Sequence, residues 1–252
     1  MKTFNNKITL NLGGATQQVN VKGGIAPIEY TQYNFHVEWD ALANLQVAKP
    51  EKQYAASVFH AFLPSEPVSV GECWEIEEGV LELLRQLHPN PRLDLHINNG
   101  DSLGLWACLR AYSNEVADIM FRIHAEFEFA DGRFTPSQFA GYLVIDRIKE
   151  EITFFQMHVP KGTLNFDAYR NTIGSDIGYC PQIELCTGTL PHDVEFTAAI
   201  TQEEAEHALI SCFYKVQQIN WVSLEEALAM APTQQKPIHA VTLDGPLFDE
   251  SC

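Results

Sequence analysis

Basic residues are scarce in this chain: 16 Lys and Arg stand against 33 Asp and Glu, a formal net charge of −17 over 252 residues. A surface so negative repels phosphate backbones and anionic headgroups, which argues against nucleic acid and against a membrane surface as partners. Long apolar runs are missing too. No stretch approaches the roughly 18 apolar residues that a spanning helix needs, and Met1 to Gly14 has no apolar run suited to a signal peptide or anchor. The expectation is a soluble, cytoplasmic chain. Absent as well are Cys-x-x-Cys, Gly-x-Gly-x-x-Gly and a Walker loop, so the sequence supports neither a Cys-x-x-Cys zinc or redox pair nor a nucleotide cofactor. No cofactor is expected. There is no internal repeat and no low-complexity tract.

What is present fits a folded protein. The hydrophobic share is 46% and the charged share 19%, and a chain of this length buries a full core in one or two domains. The six cysteines are Cys73, Cys108, Cys180, Cys186, Cys212 and Cys252, too few at this length for a disulfide scaffold. Cys180 and Cys186 lie close in sequence. On one straight strand, however, they stand roughly 20 Å apart, and a disulfide needs Cα atoms within about 7 Å.

Patterning along the chain predicts mostly strands. Lys7 to Leu12 alternates, Gly13-Gly14 follows, and Gln17 to Lys22 completes a hairpin signature. Asn34 to Trp39 is a further strand candidate. Glu75 to Leu87 has helical spacing, with Ile76, Val80, Leu83, Leu84 and Leu87 on one stripe, ended by His88-Pro89-Asn90-Pro91. Asp118 to Phe129 is the clearest strand: Phe121, Ile123 and Phe127 fall on a core face, Arg122 and Glu128 on a wet one. Gln138 to Ile145, Glu151 to Val159 and Ile177 to Leu185 follow as strands of an antiparallel sheet with one wet face. After Thr201 the character changes. Thr201-Gln202-Glu203-Glu204 and Ser223-Leu224-Glu225-Glu226 are capping boxes that open two helices, and Ile238 to Leu243 is a short apolar strand.

The order capped helix, polar turn, apolar strand, loop, cysteine over Ser223 to Cys252 is how a thioredoxin-type unit presents its nucleophile. A helix opening at the cysteine lowers the thiol pKa from about 8.5. The plain alternative is a tail with a stray cysteine. His124 and Glu126 share a strand face near His158, and His88, Asp94 and His96 flank a Pro-rich turn. Such faces are more often solvated than metal-binding, and no metal site is expected.

Several blocks carry a family resemblance. Met120-Phe121-Arg122-Ile123-His124-Ala125-Glu126-Phe127 resembles the Phe-Arg-Ile-His-Ala-Glu-Phe block of the selenoprotein N family, and Phe134 to Gly141 is similar to its Phe-Ser-Pro-Ala-Gln-Phe-Thr-Gly. Asp176-Ile177-Gly178-Tyr179, Pro181-Gln182 and Glu184-Leu185 resemble a third block, and Leu87-His88-Pro89 and Ala107-Cys108-Leu109 also fit. Asp249-Glu250-Ser251-Cys252 resembles the family's Asp-x-Ser-Cys, which selenocysteine and glycine follow there. The resemblance runs from about residue 70 to the end. It implies a thiol/selenol-disulfide oxidoreductase with a thioredoxin-like domain, in which Cys252 partners a selenocysteine and Ser251 shapes the turn before it. The animal family's membrane anchor and calcium-binding loop have no counterpart here: no Asp-x-Asp-x-Asp-Gly occurs.

The expected fold is therefore α+β. An antiparallel β-rich domain over 1–200 precedes a helical connector and the start of a thioredoxin-like domain over 201–252. The expected partner is a protein thiol or disulfide. Because the chain stops one position before the family's selenocysteine, it is expected to be a weak catalyst as it stands, with UGA as the next codon. The rival expectation is a protein-binding or scaffolding β domain without chemistry of its own.

Overall fold

A computed structural model describes residues 6–13, 17–94, 104–190, 194–213 and 222–240. In chain order the elements are β1 (Gln18–Ile25), β2 (Tyr30–Thr31), α1 (Phe35–Glu38), α2 (Asp40–Ala43), β3 (Glu51–Ala55), β4 (Cys73–Glu75), α3 (Leu81–Leu87), β5 (Pro91–Arg92), β6 (Leu105–Tyr112) and β7 (Val116–Ile123). Then come β8 (Glu126–Phe129), β9 (Gly132–Pro136), β10 (Phe139–Asp146), β11 (Glu151–His158), β12 (Phe166–Arg170), β13 (Gly174–Tyr179), β14 (Ile183–Gly188), β15 (Ala198–Ala199), α4 (Gln202–Phe213) and α5 (Leu224–Gln234). A nine-stranded sheet has the order β15-β6-β7-β10-β11-β14-β1-β3, with β4 also on β6; a six-stranded sheet has the order β2-β13-β12-β9-β8-β5. The fold is a mixed α/β one, dominated by antiparallel sheets and carrying few helices.

The two sheets share one core, and the chain crosses between them repeatedly. The predicted single strand from Asp118 to Phe129 is in fact two. β7 runs in the large sheet against β6 and β10, the backbone turns at His124-Ala125, and β8 enters the small sheet against β9. Ile177 to Leu185 divides in the same way at Cys180-Pro181-Gln182, into β13 of the small sheet and β14 of the large. β7, β10 and β11 do lie in one sheet, as the patterning predicts.

The inner face of the large sheet is aromatic. Phe62 and Phe121 rings lie 4.6 Å apart and Phe59 and Phe155 5.1 Å, edge to face in the second pair. In the small sheet Phe134 meets Phe166 at 4.8 Å. Phe121, Ile123 and Phe127 are all buried, as expected. Gly141 on β10 lies beneath Phe121, where a Cβ would stand 2.1 Å from its Cζ, so no larger residue fits under that ring.

The expected wet face of β7 is not wet. Met120, Arg122 and Glu126 are buried, and of the residues expected on that side Glu128 is exposed. α4 packs over β6 and β7, with its Ala205 and Leu209 buried. The Arg122 guanidinium is held there by the side-chain oxygen of Gln138, which meets part of the cost of burying a charge.

Three local expectations also change. The hairpin of Lys7–Leu12 with Gln17–Lys22 does not form: Ile8 bridges to Val68, while β1 pairs with β3 and β14. Asn34 to Trp39 is a helical turn instead of a strand. The Asp176 carboxylate accepts from the backbone N–H groups of Tyr33 and Phe35 at 3.0 and 3.1 Å, folding the segment back after Asn34 at φ 64°. The helix predicted from Glu75 starts only at Leu81, after β4 and a 3-10 turn, although its whole apolar stripe is buried. α4 and α5 begin where their capping boxes place them; Thr201 and Glu204 cap the first reciprocally at 2.9 and 3.1 Å, and Ser223 and Glu226 the second. Residues 238–240 are not strand, and the rest of the predicted strand to Leu243 lies outside the described residues.

Candidate functional site

The chemistry of the described residues gathers on the outer face of the large sheet, beneath and beside α4. Strict alternation places Cys108 on β6, Asp118 and Met120 on β7, Tyr142 and Val144 on β10, and Phe154, Gln156 and His158 on β11 on that one face. A bulge between Leu109 and Ala111 adds Arg110 as an extra residue of β6. Such a bulge re-aims its side chain, and here it lets Arg110 grip Asp118 through Nε at 2.9 Å and through a second guanidinium nitrogen.

Between this pair, Gln202 at the start of α4 and the segment around Phe196 lies a cleft of about 460 Å³. Val144, Phe154 and Leu190 give it apolar walls, and the Arg110 guanidinium sits over the Phe196 ring at 5.2 Å. The free oxygen of Asp118, Oδ1, is buried with no hydrogen-bond partner. Burial pushes the Asp118 carboxyl up, against the opposing pull of the Arg110 hydrogen bond and charge. Burial, with Glu206 and Asp118 beside it, pushes the Tyr142 phenol up to about 12. Burial lowers the His158 imidazole, opposed by Glu184 and Glu206. At neutral pH the tyrosine keeps its proton and the histidine is neutral, an arrangement suited to holding a ligand by hydrogen bonds.

Beside the cleft three thiols meet. Cys73 on β4 lies directly across from Cys108 on β6, and the Cys73 thiol is hydrogen-bonded to the thiols of both Cys108 and Cys212, the last on α4. The hydrogen bond with Cys108 raises the Cys73 thiol, that with Cys212 lowers it, and burial raises it further; the balance is well above the ordinary value. Cys212 is raised by its hydrogen bond with Cys73 and by burial. Cys180, in the break between β13 and β14, is pushed up to about 11 by burial. The five described cysteines are free thiols.

Ser251 and Cys252, the catalytic residues that the resemblance implies, lie outside the described residues. The imidazoles and carboxylates weighed as ligands are not brought together. His124 sits at the crossing between sheets, Glu126 in the small sheet and His158 in the large, while His88 stacks on Phe127 at 5.2 Å. His96 is outside the described residues. Among the described residues no three His, Cys, Asp or Glu side chains could together hold a metal ion. The thiol cluster escaped sequence reasoning because its members are far apart in the chain. Cys108 did lie in a block with family resemblance, which is the one hint the sequence offered.

The chain is similar to three curated proteins. Selenoprotein N of Danio rerio is 28% identical over an alignment of 262 positions, covering 79% of this chain and 47% of that protein. Selenoprotein N of Mus musculus is 26% identical over 270, covering 81% and 48%, and that of Homo sapiens 26% over 270, covering 81% and 45%. The chain thus spans about half the length of the curated relatives it matches. No family model matches it, and no solved structure does so significantly. The same name recurs across three vertebrates over about four-fifths of this chain, and the motifs around β7, β9 and β13 resemble the same family: the similarity supports a selenoprotein N-like family.

Proposed function

We propose that this chain is the β-rich part of a thiol/selenol-disulfide oxidoreductase of selenoprotein N type, acting on protein thiols or disulfides from the cytoplasm. Residues 1–200 form the β-rich unit, and residues 201–252 connect it to a thioredoxin-like domain whose active site opens at Ser251 and Cys252. The observation that carries this reading is similarity to proteins named Selenoprotein N over 79 to 81% of the chain. The Asp249-Glu250-Ser251-Cys252 motif supports it. α5 buries none of its side chains among the described residues, and Leu224 and Leu228 are exposed, as suits a helix that leads into a further unit.

The test is reduction of a protein disulfide, followed for this chain, for the same chain continued through selenocysteine and a thioredoxin-like segment, and for the continued chain with Cys252→Ser. Activity that appears with the continuation and is lost with the serine supports the reading. Equal inactivity of all three would leave the β-rich unit as a binding module.

A further inference from the structure

Cys73, Cys108 and Cys212 are free thiols gathered on the outer face of the large sheet. β4 and β6 hydrogen-bond through alternate positions: Ile76 donates to Leu105 at 2.9 Å and Leu109 to Glu72 at 3.3 Å. Cys73 and Cys108 fall between these positions, at a non-hydrogen-bonded pair, where antiparallel Cα atoms stand about 4.5 Å apart. A disulfide accepts Cα separations of about 4.4 to 6.8 Å, so the sheet register presents this pair ready to close. α4 packs against β4 and the Cys73 thiol interacts with that of Cys212, while Cys212 is tied back to its own helix at the Ala208 carbonyl by 3.3 Å. Cys73 is therefore shared by two partners and can bond covalently to only one at a time. Cys108 is fully buried, whereas Cys73 and Cys212 are partly exposed, and β4 is joined to the sheet through β6.

We propose that Cys73, Cys108 and Cys212 are an intramolecular thiol–disulfide exchange site that takes an external disulfide as oxidant, with Cys73 as the shared sulfur. In the first step the Cys73 sulfur gives up its proton and attacks the external disulfide. A mixed disulfide forms and one external thiol leaves. In the second step Cys108 or Cys212 loses its proton and attacks the Cys73 sulfur, forming the internal disulfide and releasing the second external thiol. Two protein thiols are oxidised, one external disulfide is reduced to two thiols, and both protons end on the released thiols. With Cys108 the bond stays within the sheet. With Cys212 it fastens α4 to β4, so exchange between the two partners decides whether the helix is tethered. The raised thiols make entry slow at neutral pH and faster in mild alkali, because the thiolate is the attacking form.

The experiment treats the full chain, in a Cys252→Ser background, with excess oxidised glutathione in mild alkali and maps disulfide-linked peptides under native conditions. The serine keeps the result independent of the proposed Cys252 chemistry, so failure here and failure there are distinguishable. The expected result is Cys73 linked to Cys108 or to Cys212, and no Cys108–Cys212 link. Cys108→Ser should leave the Cys73–Cys212 link, with slower amide exchange along α4 on oxidation, and Cys212→Ser should leave the Cys73–Cys108 link. Cys73→Ser should abolish internal disulfides among the three. A Cys108–Cys212 bond, glutathione adducts without internal closure, absence of either link in its own variant, or no reaction of the unmutated trio would overturn the proposal.

Discussion

Asn165 holds both backbone groups of Cys180: its side-chain NH2 donates to the Cys180 carbonyl at 2.7 Å, and its side-chain oxygen accepts from the Cys180 N–H at 2.9 Å. Both residues are buried, at 3% and 0% exposure. This clamp stands where β13 ends and the chain leaves the small sheet for the large one. It supplies the partners that a continuous ladder would otherwise give those two backbone groups.

Asn165→Ala should therefore destabilise the fold by about 2–4 kcal/mol, because two buried backbone groups lose their partners at once. Asn165→Asp should cost a similar amount, since a carboxylate cannot donate to the carbonyl. The measurement is the urea midpoint of unfolding for each variant. A loss under about 0.5 kcal/mol for the alanine would mean that water satisfies Cys180 and that the clamp is incidental.

The same clamp explains what the sequence could and could not convey. Alternation of apolar residues is a local signal, so β7, β10 and β11 and the core side chains Phe121, Ile123 and Phe127 were legible from it. Crossing from sheet to sheet is not local. The pattern continues unbroken through His124-Ala125 while the strand changes partners, and the break at Cys180 depends on Asn165, fifteen positions earlier. Alternation puts Arg122 on the wet face, yet it is buried, its guanidinium held by Gln138 sixteen positions on. Asn34 to Trp39 looked extended until Asp176 claimed its backbone donors. The thiol site was hidden for the same reason: only the pairing of β4 with β6 and the docking of α4 bring Cys73, Cys108 and Cys212 together. The capping boxes of α4 and α5, in contrast, are complete within four residues, and both were legible.

Truncating Phe121 or Phe127 to alanine should cost roughly 3–5 kcal/mol, the usual range for a fully enclosed aromatic ring. Phe121 packs on Phe62 and Phe155, and Phe127 on Phe134, so each substitution opens a cavity in a different part of the shared core. Denaturant unfolding measures this directly. A cost below about 1 kcal/mol at either position would show that its face is not core.

Stability should fall as the solution is acidified below neutrality, with His124 a main contributor. Burial, reinforced by the Arg122 charge, lowers its imidazole from 6.5 to about 4. The unfolded chain therefore binds a proton near pH 6.5 that the folded chain refuses until about pH 4, so stability declines on descending through that window and levels off below it. The full effect is on the order of 3 kcal/mol. His88 and His158, both lowered by burial, act in the same direction, and Asp118, raised by burial, acts against them. His124→Gln isolates the one residue: unfolding midpoints at pH 7 and pH 4.5 should differ less in the variant than in the parent. An unchanged difference would rule His124 out as the source.

The Arg110–Asp118 pair should respond unequally to loss of its two halves. Asp118 is 4% exposed, while the Arg110 side chain is 20% exposed. Arg110→Ala strands a buried carboxylate whose other oxygen already has no hydrogen-bond partner, and such a loss typically costs about 3–5 kcal/mol. Asp118→Ala leaves a guanidinium that reaches solvent and keeps its stacking over Phe196, so it should cost less. The pH dependence gives the sharper test. Burial already raises the Asp118 carboxyl while Arg110 holds it down; without Arg110 it rises further. A carboxyl raised on folding contributes stability below its unfolded value and loses it as pH climbs through the folded one. Arg110→Ala should therefore lose stability from pH 5 to pH 7 relative to the parent, and the double variant Arg110→Ala with Asp118→Asn should not, because an amide carries no charge to bury. If the single and double variants show the same pH profile, the stranded carboxylate is not the cause, and the cleft beside Phe196 owes its stability to packing alone.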